Sequence, residues 1–138
     1  KLAEEVFGPY SIIVKCKNKD QLNDILSTLK GQLTGTVIGS EDEMQSFILS
    51  IDQLEKKVGR LIFNGVPTGV EVCSSMQHGG PYPASSDSRF TSVGTMAIKR
   101  FARPVAFQSW PDSQLPDELK NDNPLNIWRL INGEWTMD

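Results

Sequence analysis

The chemically richest stretch opens the chain: Glu4-Glu5-Val6-Phe7-Gly8-Pro9. A carboxylate beside an aromatic on a Gly-Pro turn offers two complementary contacts. The acid accepts hydrogen bonds from sugar hydroxyls, while the ring packs against a flat heterocycle. The same hexamer also suits a solvated acidic pair before a turn, since acids are mostly exposed. Two thiols, Cys16 and Cys73, and a single imidazole, His78, are the candidates for nucleophile and base. Cys16 lies between Lys15 and Lys17, cationic neighbours of the kind a reactive thiol uses. His78 stands in Gln77-His78-Gly79-Gly80, where it is either a general base or a loop imidazole that walls a pocket and bonds to backbone. The Gly79-Gly80 pair reads either as an anion-binding nest of amides or as a source of tight turns, and turns are the commoner use. The paired acids Asp42-Glu43 and Asp117-Glu118 fall at expected helix starts, where negative charge meets the positive end of the helix dipole, and carry no chemistry.

Composition bounds what these groups serve. At 138 residues the chain is one domain's worth, long enough to bury about 70% of its unfolded surface. With 38% hydrophobic and 22% charged residues it is globular in composition. No apolar run approaches a membrane span. The net charge of -3 and the absence of a Lys/Arg cluster beyond Lys56-Lys57 argue against a nucleic-acid partner. Two cysteines without CxxC spacing and one histidine exclude a disulfide scaffold, a cysteine zinc site and a multi-histidine metal centre. The chain starts at Lys1 with no secretory leader, so the expectation is a cut end of a longer, cytoplasmic protein.

The elements that must position these residues alternate between strand and helix. Tyr10 to Lys15 is an apolar, β-branched run suited to a buried strand. Asn18 to Leu29 carries Leu22, Ile25, Leu26 and Leu29 at helical spacing, with Gly31 as its stop. Leu33 to Ile38 reads as a second strand. Ser40-Glu41-Asp42-Glu43 has capping-box form and opens a helix whose face runs through Met44, Phe47, Ile48, Ile51 and Leu54. Leu61 to Phe63 is a third strand. From Gly65 to Thr91 stretches a glycine- and proline-rich loop of functional length, whose Val70, Val72, Cys73 and Met76 imply that it packs against something. Ser92 to Arg103 reads as a last helix, ended by Pro104. Val105 to Trp110 is a strand with mixed faces, fit for a sheet edge or a subunit boundary. The fold class is α/β: a βαβαβ parallel sheet with flanking helices. Three strands would leave part of such a sheet uncovered, a second sign that partner elements lie outside the chain. A polar tail follows, with an ordered patch around Trp128.

Glu4 to Pro9 before an apolar strand resembles the E-E-x-F-G-P signature of the aldehyde dehydrogenase superfamily. The order that follows agrees with it over residues 1–111: helix, strand, helix, Gly59-Arg60-Leu61-Ile62-Phe63-Asn64, a glycine-rich segment, a helix and a closing strand. Ser75 to Ala84, Asp87-Ser88-Arg89, Thr91 to Gly94 and the tail segment Asn123 to Arg129 are similar to the branch containing the α-ketoglutaric semialdehyde (2,5-dioxovalerate) dehydrogenases. The resemblance implies the C-terminal part of an enzyme that oxidises an aldehyde to an acid with NAD or NADP.

It also implies roles. Glu5 would hold the nicotinamide ribose hydroxyls and Phe7 would pack by the nicotinamide ring. Asn64 would close the strand below the substrate tunnel, and Val66, Pro67 and Thr68 would line its mouth. His78 stands where many members carry the aromatic of Pro-Phe-Gly-Gly and would form tunnel wall. Cys16 and Cys73 both lack the family's nucleophile surroundings and are read as structural thiols. The nucleophile, the general-base glutamate and the dinucleotide fold are thus expected upstream, and this segment alone is expected to be inactive. The implied organisation is a catalytic-domain portion over residues 1–103, an oligomerisation strand over 104–111 and a tail over 112–138. The implied partners are the upstream cofactor and catalytic segments of the same polypeptide and further copies in a dimer or tetramer. Read without the resemblance, the same residues also fit a stand-alone α/β module whose Gly65–Thr91 loop holds a small acidic metabolite without catalysis.

Overall fold

A computed structural model of the chain describes residues 6–67, 69 and 71–138. They form two compact units, Lys1–Arg103 and Pro104–Asp138. In the first, helix α1 (Lys19–Thr28) starts where the sequence places it. Asn18 is its N-cap, and its side-chain oxygen accepts the Gln21 amide at 2.9 Å. Strand β1 (Gln32–Val37) leads into the predicted capping box, where the Glu43 carboxylate accepts the Ser40 amide at 3.3 Å and its hydroxyl at 2.9 Å. Those hydrogen bonds, the hydroxyl's first, hold the Glu43 carboxyl below its ordinary pKa.

The helix that follows is not continuous. It runs as α2 (Glu41–Met44), a 3₁₀ turn (Gln45–Phe47) and α3 (Ile48–Glu55). At the break, Lys19 of α1 sets its ammonium 4.4 Å from the Phe47 ring centroid and donates to the Ser46 carbonyl at 2.5 Å. A turn later the Ser50 hydroxyl, buried, donates to Asn23 Oδ1 at 2.6 Å, so α1 and α3 are joined by polar contacts as well as apolar ones. Strand β2 (Val58–Phe63) then returns beside β1 in parallel, from Gln32 opposite Val58 to Val37 opposite Phe63. This is the βαβ unit that the alternation of strand and helix predicts.

The larger βαβαβ sheet is not present among the described residues. The parallel sheet has two strands, and the Tyr10–Lys15 run pairs with neither. The physical reason is visible in its side chains. A continuous apolar strand needs cover on both faces, and Ile13 is 86% exposed. The expected Ser92–Arg103 α-helix is instead a 3₁₀ helix over Thr95–Phe101, entered through Gly94 at φ 90°. Its intended inner face is poorly covered at its C-terminal end, where Phe101 is 84% exposed.

Of the apolar residues expected to pack the Gly65–Thr91 loop, Val72 is 84% exposed and Val70 lies outside the described residues; the loop's close approach to the strands is backbone on backbone. A Cβ on Gly59 would be built into the Gly79 carbonyl oxygen, one on Gly80 into the Gln32 carbonyl oxygen, and one on Gly31 into the Pro81 carbonyl oxygen. The Gly31 amide also donates to the Tyr82 carbonyl at 3.3 Å. Gly79 and Gly80 are buried and neither has positive φ, so the pair serves close approach instead of a tight turn or a nest. Beyond it, Asp87 accepts the Arg89 guanidinium at 2.9 and 2.6 Å and the Arg89 amide at 3.0 Å. These bonds, the side-chain ones foremost, hold its carboxyl at a pKa of about 2.

In the second unit, Val105 to Trp110 makes no strand pairing among the described residues, although Phe107 and Trp110 meet edge to face at 6.0 Å. Strands β3 (Arg129–Ile131) and β4 (Glu134–Thr136) form an antiparallel hairpin about Asn132-Gly133, both at positive φ. The buried Asn123 amide bonds to the Ile127 and Met137 carbonyls at 3.0 and 2.7 Å, and the Arg129 guanidinium to the carbonyls of Lys120, Asn121 and Asp138. No helix among the described residues is long and apolar enough to cross a membrane.

Two outcomes follow. Gly59→Ala forces the Gly79 loop off the strand ends and lowers stability by about 1–3 kcal/mol, whereas Gly8→Ala, with open space around it, stays within about 0.5 kcal/mol, both read by urea denaturation. Because the folded-state pKa of Asp87 is depressed, its contribution is complete above the ordinary carboxylate pKa and fades as the pH falls towards about 2. The gap in melting temperature between wild type and Asp87→Asn should therefore be small, because the pair is exposed, and should close between pH 5 and 2.

Candidate functional site

The ends of β1 and β2 and the loops leaving them carry most of the candidate residues. At the C-terminal ends, Asn64 follows β2 in the left-handed region at φ 48°. Its side-chain oxygen accepts the Gly39 amide at 2.9 Å, its Nδ2 donates to the Gly39 carbonyl at 2.8 Å, and its own amide donates to the Val37 carbonyl at 2.9 Å. The chain then leaves the sheet through Gly65, Val66 and Pro67. Val66 and Pro67 are exposed. Thr68 lies outside the described residues, and so does Glu5.

Phe7 is 95% exposed. A large aromatic this open is available to stack on a planar group. His78 lies at the opposite, N-terminal ends of the strands, carried there by the Gly79–Gly80 contact. Its backbone is tightly held: the amide donates to Thr91 Oγ1 at 2.9 Å, and the carbonyl accepts the Ser92 amide at 2.9 Å and hydroxyl at 2.8 Å. The ring is half-buried and its Nδ1 is sequestered with no hydrogen-bond partner. It lines a cleft of about 310 Å³ with Leu33, Ser85, Asp87, Phe90 and Arg100. Phe7, Val66 and Pro67 do not line that cleft.

Sequence reasoning passed over Arg60. This cation within β2 donates through Nη1 to the Gly69 carbonyl at 3.0 Å and stands 3.6 Å from the Met76 sulfur, so it braces the loop from beneath. The signal was available: an arginine inside an otherwise apolar strand must find an acceptor. Cys16 and Cys73 are free, half-buried thiols, and the Cys73 sulfur lies 3.4 Å from the Ser75 hydroxyl. No group of His, Cys, Asp and Glu among the described residues could hold a metal ion.

No protein-family model matches the chain. Comparison with curated proteins gives long, strong similarities. The α-ketoglutaric semialdehyde dehydrogenase of Acinetobacter baylyi is 51% identical over 138 residues, all of this chain and 26% of the relative. The α-ketoglutaric semialdehyde dehydrogenase 2 of Azospirillum brasilense is 49% identical over 132 residues, 96% of this chain and 25% of the relative. The chain thus spans about a quarter of the length of the relatives it matches. Identical at about half its positions over almost its whole length, it is a homologue of one quarter of each of these α-ketoglutaric semialdehyde dehydrogenases, which agrees with the aldehyde dehydrogenase signatures in its sequence.

Proposed function

We propose that these residues are the C-terminal portion of an NAD(P)-dependent aldehyde dehydrogenase that oxidises α-ketoglutaric semialdehyde to the dicarboxylic acid. The observation that carries the reading is the identity of about half the residues over the entire chain with two dehydrogenases of that name. In this reading residues 1–103 belong to the catalytic domain, 104–111 join the sheet of a neighbouring copy in a dimer or tetramer, and 112–138 form the tail. The exposed, unpaired Val105–Trp110 segment and the uncovered Tyr10–Lys15 run support it, because both are elements that a larger assembly would complete.

The chemistry divides accordingly. An upstream cysteine would add to the aldehyde carbonyl, the hydride would pass to NAD+ or NADP+, and water would cleave the resulting thioester to release the acid and return the thiol. This chain's own residues bind and orient. The Glu5 carboxylate accepts hydrogen bonds from the ribose hydroxyls, Phe7 packs its ring by the nicotinamide, and Val66, Pro67, Thr68 and His78 wall the path of the aldehyde. Fixing donor and acceptor in register is an orientation effect, and small misplacements are costly. The medium is the cytoplasm, where both thiols stay reduced.

The full-length protein should reduce NAD+ or NADP+ with α-ketoglutaric semialdehyde as substrate. Glu5→Gln should raise the cofactor KM or lower kcat by roughly tenfold while leaving the fold intact. Steady-state kinetics with each cofactor decide it. No aldehyde oxidation by the full-length protein would overturn the activity, and unchanged cofactor KM and kcat in Glu5→Gln would overturn the role of Glu5.

A further inference from the structure

Three hydrogen bonds from one residue join the ends of two parallel strands. Asn64 receives the Gly39 amide on Oδ1, returns Nδ2 to the Gly39 carbonyl, and donates its own amide to Val37. Its left-handed backbone turns the chain out of the sheet at the residue before Gly65. Farther along, Arg60 holds the Gly69 carbonyl at 3.0 Å. The segment between them, with Val66 and Pro67, is therefore fixed at its exit and again at Gly69.

We infer that Asn64 is a positioning residue for the aldehyde. Its amide clamp on Gly39 sets the direction in which Val66 and Pro67 are presented to the substrate. This deepens the tunnel-mouth reading proposed above and rests on it. The left-handed φ alone does not account for an asparagine, since glycine adopts that conformation without strain. What asparagine adds is the two-point amide bond between sites 25 residues apart in sequence. Both bonds lie at exposed positions, so their worth to global stability is modest, and their effect falls on the geometry of the loop exit.

Asn64→Gly separates the two roles, because it keeps the backbone freedom and removes the clamp. The experiment uses the full-length protein, with Asn64→Ala as a second variant and Ser50→Ala as a control that breaks a hydrogen bond between α1 and α3 remote from the loop exit. Hydrogen exchange in peptides covering residues 37–40 and aldehyde kinetics are measured together. The expected result for Asn64→Gly is exchange at Gly39 about tenfold faster and an aldehyde KM roughly tenfold higher, with kcat within about twofold and neither change in Ser50→Ala. Asn64→Ala shows the same kinetic split together with a lower melting temperature. The inference is overturned if Asn64→Gly matches wild type in both readouts, or if Ser50→Ala raises the aldehyde KM equally. An inactive wild type would sink the aldehyde reading instead, and the exchange at Gly39 would still judge the clamp.

Discussion

A parallel pair of strands, β1 and β2, is pinned at both ends, and the positions of the other candidate residues follow from that pinning. At the N-terminal ends the Gly79–Gly80 loop lies directly on the strand backbones, an approach that any side chain at Gly31, Gly59 or Gly80 would block. At the C-terminal ends Asn64 locks on to Gly39 and Val37. One contact carries His78 and the Ser85–Arg89 segment, and the other launches Val66 and Pro67. Neither depends on a large apolar core. Backbone polar groups must be satisfied wherever they leave solvent, and here their partners are one another and a single amide side chain.

That economy matters because the chain buries little by itself. Among the described residues Val58 is the one hydrophobic residue that is buried, and it keeps 9% of its surface exposed, while Phe7, Ile13, Phe101 and Trp135 stand in the open. A domain of this length ordinarily hides most of its large apolar side chains, and contiguous exposed apolar surface marks an interaction site. The curated relatives it matches are about four times longer, in keeping with the proposal that the chain is one part of such an enzyme. Under that proposal the exposed aromatic at Phe7 and the unpaired Tyr10–Lys15 and Val105–Trp110 runs would acquire their neighbours.

Local rules were readable where a short stretch of sequence contains all the partners. Asn18 at the N-cap of α1, the Ser40–Glu43 capping box and the β1–helix–β2 crossover are of this kind, because each is decided within a few residues or by a clear hydrophobic period. The β3–β4 hairpin was equally legible in Asn132-Gly133, the dipeptide that favours positive φ at both turn positions, and went unread because the tail looked polar. The Tyr10–Lys15 strand failed for a different reason: an apolar run declares that it wants cover but not where the cover comes from. The Gly79–Gly80 docking and the Asn64–Gly39 clamp join positions 20 or more residues apart, and no periodicity encodes them. Of the candidate site, the residue types came from the sequence, while their division between the two ends of the sheet came only from the structure.

The claim beneath all of this is that these residues are completed by the rest of an aldehyde dehydrogenase. Hydroxyl-radical footprinting of the full-length protein, read residue by residue, tests it most directly. The account predicts that Ile12, Ile13 and Phe101 are shielded as well as Val58. Radical modification at those three positions as fast as their exposure in this structure implies would contradict it.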